Sequence, residues 1–380
     1  MRVLVVLNGS TSGYSGGDLH TIMVANHWAE SQQVYLCLPQ GSSHEVLSLV
    51  DSKINVIGGS AHFQPVGRGR LLIKYLRRIV ISGVVVAKRR DDFDVIVASS
   101  HYSFDLLPTL FRHRSTTPLV TYWHHHIGQL ADRPRWVSVL VGLSERWSLS
   151  VLRRANALVL TSNSSTLEHL CSRGLRTSQI ELTKNGQSTS LASLLQIHEV
   201  ESETSLVRNE ASVLFCGRLS RLKGTRDLAL LAKEFSESPR NVTITVVGQD
   251  GDDGIELRQI LSDEIVAGRV RFTGFVGEAE KSRLFREAHV VIVPSYEEGW
   301  SVTVGDGLAS RCWVVSYDLP AIREAFPEGP IYVPVGDWKR MYAEVDRCLA
   351  YPRPDKSVVG PSWREIAKGD LRAITEHFTL

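Results

Sequence analysis

The sequence predicts an α/β protein made of two successive parallel-sheet domains. Three observations carry this. Short β-branched runs alternate with helical patterns along most of the chain, as in a parallel sheet covered by helices on both faces. The series stops in a Ser-, Thr-, Glu- and Gln-rich stretch, residues 187–210, and restarts at Val213-Leu214-Phe215-Cys216. The length of 380 residues also exceeds what one ordinary core holds. The expected division is an N-terminal domain over 1–190, a linker over 191–210, a C-terminal domain over 211–355 and a last helical segment over 356–380.

Taken in order, Val3–Leu7 reads as the first buried strand. A Gly-rich loop follows, ending in Tyr14-Ser15-Gly16-Gly17-Asp18, and then a helix with Leu19, Ile22, Met23, Asn26 and His27 at helical spacing. Two readings of the loop stand: a flexible turn, or a cradle in which Gly16 and Gly17 let backbone approach a ligand. Further strands are expected at Val34–Leu38, Ile54–Ile57, Val95–Ala98, Leu119–Tyr122 and Ala157–Thr161. Ligands of such sheets sit beyond the strand carboxyl ends, where His101, Tyr102 and the run His124-His125-His126 fall. Three adjacent histidines cannot converge on one ion, and no carboxylate or cysteine lies close by, so no metal site is expected there. Arg68 to Arg90 is basic, with Leu72, Leu76 and Val80 interleaved at helical spacing. The preferred reading is a core-facing helix with a solvated face, and contact with an anionic membrane is the alternative. Arg135–Arg154 invites the same pair of readings.

The second series has strands at Val213–Cys216, Val242–Val247, Val270–Thr273, Val290–Pro294 and Trp313–Tyr317. Leu228, Leu231, Ala232 and Phe235 form one apolar helix face. Between the first strand and that helix lies Gly217-Arg218-Leu219-Ser220-Arg221-Leu222-Lys223-Gly224. Arg as a planar fork and Lys as a point charge suit a diphosphate, although a solvated basic loop has the same composition. Further on, Pro294 stops a strand, a polar turn follows, and Ser301 is placed to cap a helix beginning at Val302. Free N–H groups and the helix dipole there make an anion platform, flanked by Glu298 and Asp306 with seven residues between them. Asp250-Gly251-Asp252 and Asp92-Phe93-Asp94 have the form of a metal-binding pair but lie in turn-rich loops, and no metal is assigned to them.

Composition excludes several classes. Apolar content of 43% and charged content of 22% are those of a folded protein, and a net charge of +2 gives no long-range pull on nucleic acid. Five scattered cysteines without a CxxC pair fit buried thiols in a reducing compartment. With a strand at the very start and no bilayer-spanning run, a cytoplasmic location is expected, including the inner face of the membrane.

Together these motifs resemble family 4 of the retaining glycosyltransferases, which have the GT-B fold. Gly16-Gly17 looks like that family's glycine loop, which faces the donor diphosphate and the acceptor, and His124 is similar to its cleft histidine. Lys184-Asn185-Gly186 looks like its PNG turn, with Lys for Pro. Gly217-Arg218-Leu219 with Lys223-Gly224 matches its GRL…KG signature, and Val246-Val247-Gly248-Gln249-Asp250-Gly251 is similar to its VGxG turn. Gly274-Phe275-Val276 is similar to the family's loop whose backbone meets the base. Glu298 to Asp306 matches its E-x7-E motif, with Asp for the second Glu.

The resemblance implies two Rossmann-like domains facing across a cleft, with a helix near Trp363–His377 crossing back to the first. It implies transfer of a hexosyl group from a UDP-, GDP- or other NDP-sugar to an acceptor hydroxyl, without a metal or other cofactor. By the same resemblance Arg218 and Lys223 hold the leaving diphosphate, which itself takes the acceptor proton. Glu298 binds the sugar, Gly299, Trp300, Ser301 and Val302 meet sugar or phosphate, and Asp306 takes the ribose. Trp300 is expected to narrow the pocket. Tyr14, His101, Tyr102, His124 and His125 are the candidates on the acceptor side, His124 also lying near the donor sugar. Two other readings are a nucleotide-sugar epimerase of the same shape and a catalytically weak sugar-nucleotide-binding subunit.

Overall fold

The computed structural model describes the chain apart from residues 9–13, 39–41, 43, 59–70, 89–92, 112–116, 125–134, 187–210, 252 and 359. The proposed linker, His125, Arg68, Arg70 and Asp252 therefore lie outside the described residues. Two compact units result, one of Met1–Asn185 with Trp363–Leu380 and one of Gly186–Ser362. Residues 356–362 thus group with the second unit, and the returning segment starts at Trp363.

The first unit is a seven-stranded parallel sheet of β1 (Arg2–Val6), β2 (Gln33–Leu38), β3 (Asn55–Gly58), β4 (Val95–Ala98), β5 (Leu119–Trp123), β6 (Leu158–Thr161) and β7 (Ile180–Leu182), in the order 3-2-1-4-5-6-7. The central strand β1 pairs with β2 and β4, so Val3, Leu4, Val5 and Val6 are fully buried on both faces. That burial explains why the strands read as apolar runs without alternation. The helix Trp363–Phe378 joins this core, where Trp363, Ile366, Ala367 and Ile374 pack with Leu19, Ile22 and Trp28. Trp28 Nε1 donates to the Ala367 carbonyl at 2.8 Å.

The second unit is a six-stranded parallel sheet of β8 (Ala211–Cys216), β9 (Val242–Val247), β10 (Val270–Gly274), β11 (Val290–Val293), β12 (Trp313–Tyr317) and β13 (Ile331–Val333), in the order 10-9-8-11-12-13. The helix Thr225–Glu237 turns Leu228, Leu231, Ala232 and Phe235 into its core, each burial worth roughly 1.5–3 kcal/mol for the larger side chains. In both sheets the order reverses next to the first strand, at β1/β4 and at β8/β11, and a crevice opens beyond the strand ends at such a reversal.

The helix Leu71–Lys88 departs from its expected orientation. Arg78, Ser82 and Val86 are buried, while Leu76, Val80 and Val84 are exposed. Arg78 donates to the Asn8 carbonyl at 3.0 Å and Ser82 to Asn8 Oδ1 at 2.8 Å. Its inward face satisfies the polar end of β1, so an apolar stripe is left outside. Cys37, Cys312 and Cys348 are buried, whereas Cys171 and Cys216 are only half-buried, and all five are free thiols.

Candidate active site

In the second unit the strand ends bring Lys223 and Glu298 together. The Lys223 ammonium donates to Glu298 Oε1 at 2.7 Å, and Ser295 Oγ donates to the same oxygen at 2.8 Å. Lys223 follows β8 and Glu298 follows β11, so the pair spans the reversal point of the sheet. Two glycines make this packing possible. A Cβ at Gly224 (φ +76°) would lie 2.0 Å from the Pro294 carbonyl oxygen, and one at Gly248 (φ +151°) 1.8 Å from that of Gly217. Only glycine lets these loops approach so closely. The Tyr296 N–H then donates to the Leu222 carbonyl at 2.8 Å, tying the two loops together. Arg218 is exposed and has no hydrogen-bond or ion-pair partner among the described residues.

The helix Val302–Ala309 starts at the same place, so its free N–H groups and positive dipole end face the crevice side. Thr303 anchors it by donating to the Cys216 carbonyl at 3.0 Å. Ser301 does not cap it as expected. Its backbone is left-handed (φ +70°), and its buried Oγ has no hydrogen-bond partner among the described residues. A side chain caps from extended backbone, which Ser301 lacks. Trp300 does not narrow a pocket either, since it packs edge-on to Phe326 in a core cluster. Gly299 and Val302 are half-buried beside it.

Asp306 is also placed differently. It is 1% exposed and meets Lys281, whose Nζ lies 3.3 Å from Asp306 Oδ2 and 3.0 Å from Glu278 Oε2. Burial alone would lower the Lys281 pKa, but Asp306 and Glu278 outweigh it and hold it well above the ordinary lysine value. The sequence reading missed Lys281, because a lysine in the charged helix Glu278–Glu287 looks like part of a solvated face. Burial pushes the nearby Cys216 thiol up to about 12, with smaller contributions from Lys281, Asp306, Glu278 and Lys223. Phe275 and Val276, just after β10, are half-buried.

In the first unit the strand ends bring His124 to Gly17. A Cβ there would stand 2.8 Å from the His124 ring, so the missing side chain makes room for that histidine. His124 Nε2 is 3.0 Å from the Ser99 carbonyl. Behind it His20 contacts the rings of Tyr122, His124 and Trp363 edge-on and bonds Asn185 of the Lys-Asn-Gly turn. Asp370 accepts from the Tyr122 hydroxyl at 2.8 Å and from Thr183. His101 is not presented to solvent, being 4% exposed and stacked on Trp123 at 3.8 Å. Tyr14 and Tyr102 are half-buried, and Gly16 is exposed at the start of the helix Gly16–Trp28, which Ser15 and Asp18 cap reciprocally. Asp105 is buried in the first turn of the helix Ser103–Thr109, which follows β4, and accepts from the Asn8 N–H at 2.6 Å and from Ser100. Burial pushes its pKa up to about 7, against the lowering effect of those hydrogen bonds.

Among the described residues no cluster of three or more His, Cys, Asp or Glu could hold a metal ion, and no helix is long and apolar enough to cross a membrane. Asp250 pairs with Arg258, and Asp94 accepts from the Arg2 N–H.

Residues 210–351 match the family model "Glycosyl transferases group 1". The phosphatidyl-myo-inositol mannosyltransferase of Mycolicibacterium smegmatis is 35% identical over 141 residues, 36% of this chain and 35% of the relative. A D-inositol 3-phosphate glycosyltransferase of Gordonia bronchialis is 24% identical over 53% of this chain and 46% of its own. The matched regions therefore span only a third to a half of these two relatives. Among solved structures, Anabaena HepE in complex with UDP-glucose has a TM-score of 0.67 at 17% identity, covering 100% of this chain and 95% of that one. Staphylococcus aureus TarM, in a complex containing UDP, has a TM-score of 0.72 at 10% identity, covering 100% of both. The family and the curated relatives are glycosyltransferases, which leaves the epimerase reading without support. Residues 210–351 are thus similar to the group 1 glycosyl transferases, and the chain as a whole has the GT-B fold of the solved structures.

Proposed function

We propose that this protein transfers a sugar from a nucleoside-diphosphate sugar to an acceptor hydroxyl with retention at the anomeric carbon. The observation that carries the reading is the Lys223–Glu298 pair across the β8/β11 reversal, beside the start of the helix Val302–Ala309. Lys223, Arg218 and the helix N–H groups stabilise charge that builds on the diphosphate as the C–O bond breaks. Glu298, held by Lys223 and Ser295, accepts from sugar hydroxyls when donor phosphate draws the ammonium away. Gly248, Phe275 and Val276 lie on the nucleoside side. Gly16, Gly17, Tyr14, Tyr102 and His124 serve the acceptor and the sugar. The leaving phosphate takes the acceptor proton, so no second carboxylate is required.

Support for the donor class comes from HepE, whose structure holds UDP-glucose, and from the mannosyl- and glycosyltransferase relatives. A thermal-shift series with UDP-, GDP-, ADP- and TDP-sugars fixes the donor, because only a ligand bound to the folded state raises Tm. One sugar nucleotide stands out if the reading holds, and none does if it fails. Proton NMR of the product anomer then tests retention, and turnover unchanged by EDTA tests independence from metal.

For the acceptor side, an anionic membrane surface is the proposed neighbour, at the cytoplasmic leaflet. Leu76, Val80 and Val84 form an exposed apolar stripe, and Arg77 and Lys88 are exposed on the same helix. Co-sedimentation with phosphatidylglycerol vesicles is expected, and its absence at low salt would remove the membrane from the proposal.

A further inference from the structure

The loop that carries Glu298 is tied to the Lys223 loop and the helix after it at three points. The Lys223 ammonium donates to Glu298 at 2.7 Å, and the Tyr296 N–H donates to the Leu222 carbonyl at 2.8 Å. The third tie runs through Asp227, which accepts from the Tyr296 hydroxyl at 2.7 Å and from the Tyr317 hydroxyl at 2.6 Å. Asp227 lies in the first turn of the helix Thr225–Glu237, four residues past Lys223, and is buried, as is Tyr317 on β12. A carboxylate at the start of a helix is favoured by the dipole and the free N–H groups there. The Tyr296 side chain is exposed and meets the Tyr317 ring edge-on, with centroids 5.6 Å apart. Two phenols thus converge on one carboxylate, one from the sheet and one from the Glu298 loop. The ties differ in how a donor acts on them. Donor phosphate competes for Lys223, so that bond weakens as the donor arrives. Asp227 holds neutral hydroxyls, so its bond to Tyr296 stays. Burial first, and then Asp227, push the Tyr296 phenol up to about 12, which keeps it a hydrogen-bond donor at neutral pH.

We propose that Asp227 is a positioning residue for Glu298, holding its loop through the Tyr296 hydroxyl while donor phosphate occupies Lys223. This rests on the nucleotide-sugar reading of the same site. It names what keeps the sugar-binding carboxylate in place once its own counter-ion is drawn away. Tyr317 serves a different end, since its hydroxyl fixes the same carboxylate to the sheet and does not touch the Glu298 loop through its backbone.

The test is calorimetry on the full chain with one sugar nucleotide and its own nucleoside diphosphate. The probe is whichever of UDP-glucose, GDP-mannose, ADP-glucose and TDP-glucose raises Tm most. Tyr296→Phe removes one hydroxyl from an exposed side chain and should weaken the sugar nucleotide by on the order of 10-fold, the scale for one hydrogen bond to a charged group. The nucleoside diphosphate has no donor sugar for Glu298 to meet and should bind as before. Tyr317→Phe takes the other hydroxyl from the same carboxylate, and should lower Tm while leaving both affinities unchanged. In a Glu298→Gln background Tyr296→Phe should have no further effect, because it acts through Glu298. Wild-type affinity of Tyr296→Phe for the sugar nucleotide overturns the proposal. Equal weakening by the two Phe variants does the same, as it would mark a general loosening, and so does full additivity with Glu298→Gln. If Glu298→Gln alone leaves the sugar nucleotide unaffected, the sugar role of Glu298 falls and the proposal with it. If no sugar nucleotide binds wild type, the donor reading falls as well.

Discussion

Both sheets run 3-2-1-4-5-6 over their first six strands, but their carboxyl ends are finished in different materials. In the first unit side chains close the end, with His20, His124, Tyr122 and Asp370 packed on one another and Gly17 leaving the room. In the second unit backbone closes it, with Gly224 and Gly248 pressed against carbonyl oxygens and the charges left at the rim. Backbone N–H groups cost no side-chain entropy and cannot titrate, which suits an anion that carries charge throughout a reaction. A side-chain network can change protonation and partner, which suits variable hydroxyl acceptors.

The largest test of this contrast is catalytic. Lys223→Ala should lower kcat by on the order of 100-fold or more, about 3 kcal/mol, while the fold is kept. Near-normal turnover would remove the cation from the diphosphate site. Second is the backbone itself. Gly224→Ala places a Cβ at a left-handed position 2.0 Å from a carbonyl oxygen, and should cost about 3 kcal/mol in urea unfolding. Gly17→Ala meets only the edge of a histidine ring, at 2.8 Å, and should cost less. Equal costs would erase the distinction between the two ends.

Third, the first unit should respond to pH through Asp105. Its folded pKa, pushed up to about 7, exceeds the unfolded value, so the folded state holds the proton over the window between them. Stability is then lost as pH rises, by about 2 kcal/mol between pH 5 and 7, with full loss above the folded pKa. Asp105→Asn imitates the protonated acid and should flatten that part of the pH profile of Tm. An unchanged profile would show that Asp105 is ionised in the fold. Smallest, and opposite in sign, is Ser301→Gly. It relieves a left-handed serine and removes an unpartnered buried hydroxyl, for a net gain of about 1 kcal/mol after the added freedom of the unfolded chain. A loss of stability would mean that the hydroxyl is held by something useful.

Much of the fold was legible because the strands are buried on both faces. Val242–Val247 and Trp313–Tyr317 were read with their observed bounds. β13 was missed because its three residues lie between Pro330 and Pro334, which look like a turn. At the site, residue types were legible and pairings were not. Lys223 and Glu298 lie 75 positions apart, and only the reversal of strand order brings them together. Ser301 was misread because its identity says cap while its φ forbids one, and Lys281 because burial reverses the usual meaning of a lysine on a helix. The helix Leu71–Lys88 was misread for a related reason. Its apolar period is real, but the polar end of β1 claims the inner face through Arg78 and Ser82.

The helix Trp363–Phe378 sets an order of events during synthesis. It completes a core whose other parts end at Asn185, so 177 residues of the second unit are made in between. Until the ribosome has passed Trp363, the faces of Leu19, Ile22 and Trp28 lack their cover, while the second unit already has all six of its described strands. The unit translated first is therefore the last to finish, and a nascent chain stalled before Trp363 should expose it to protease while protecting the second.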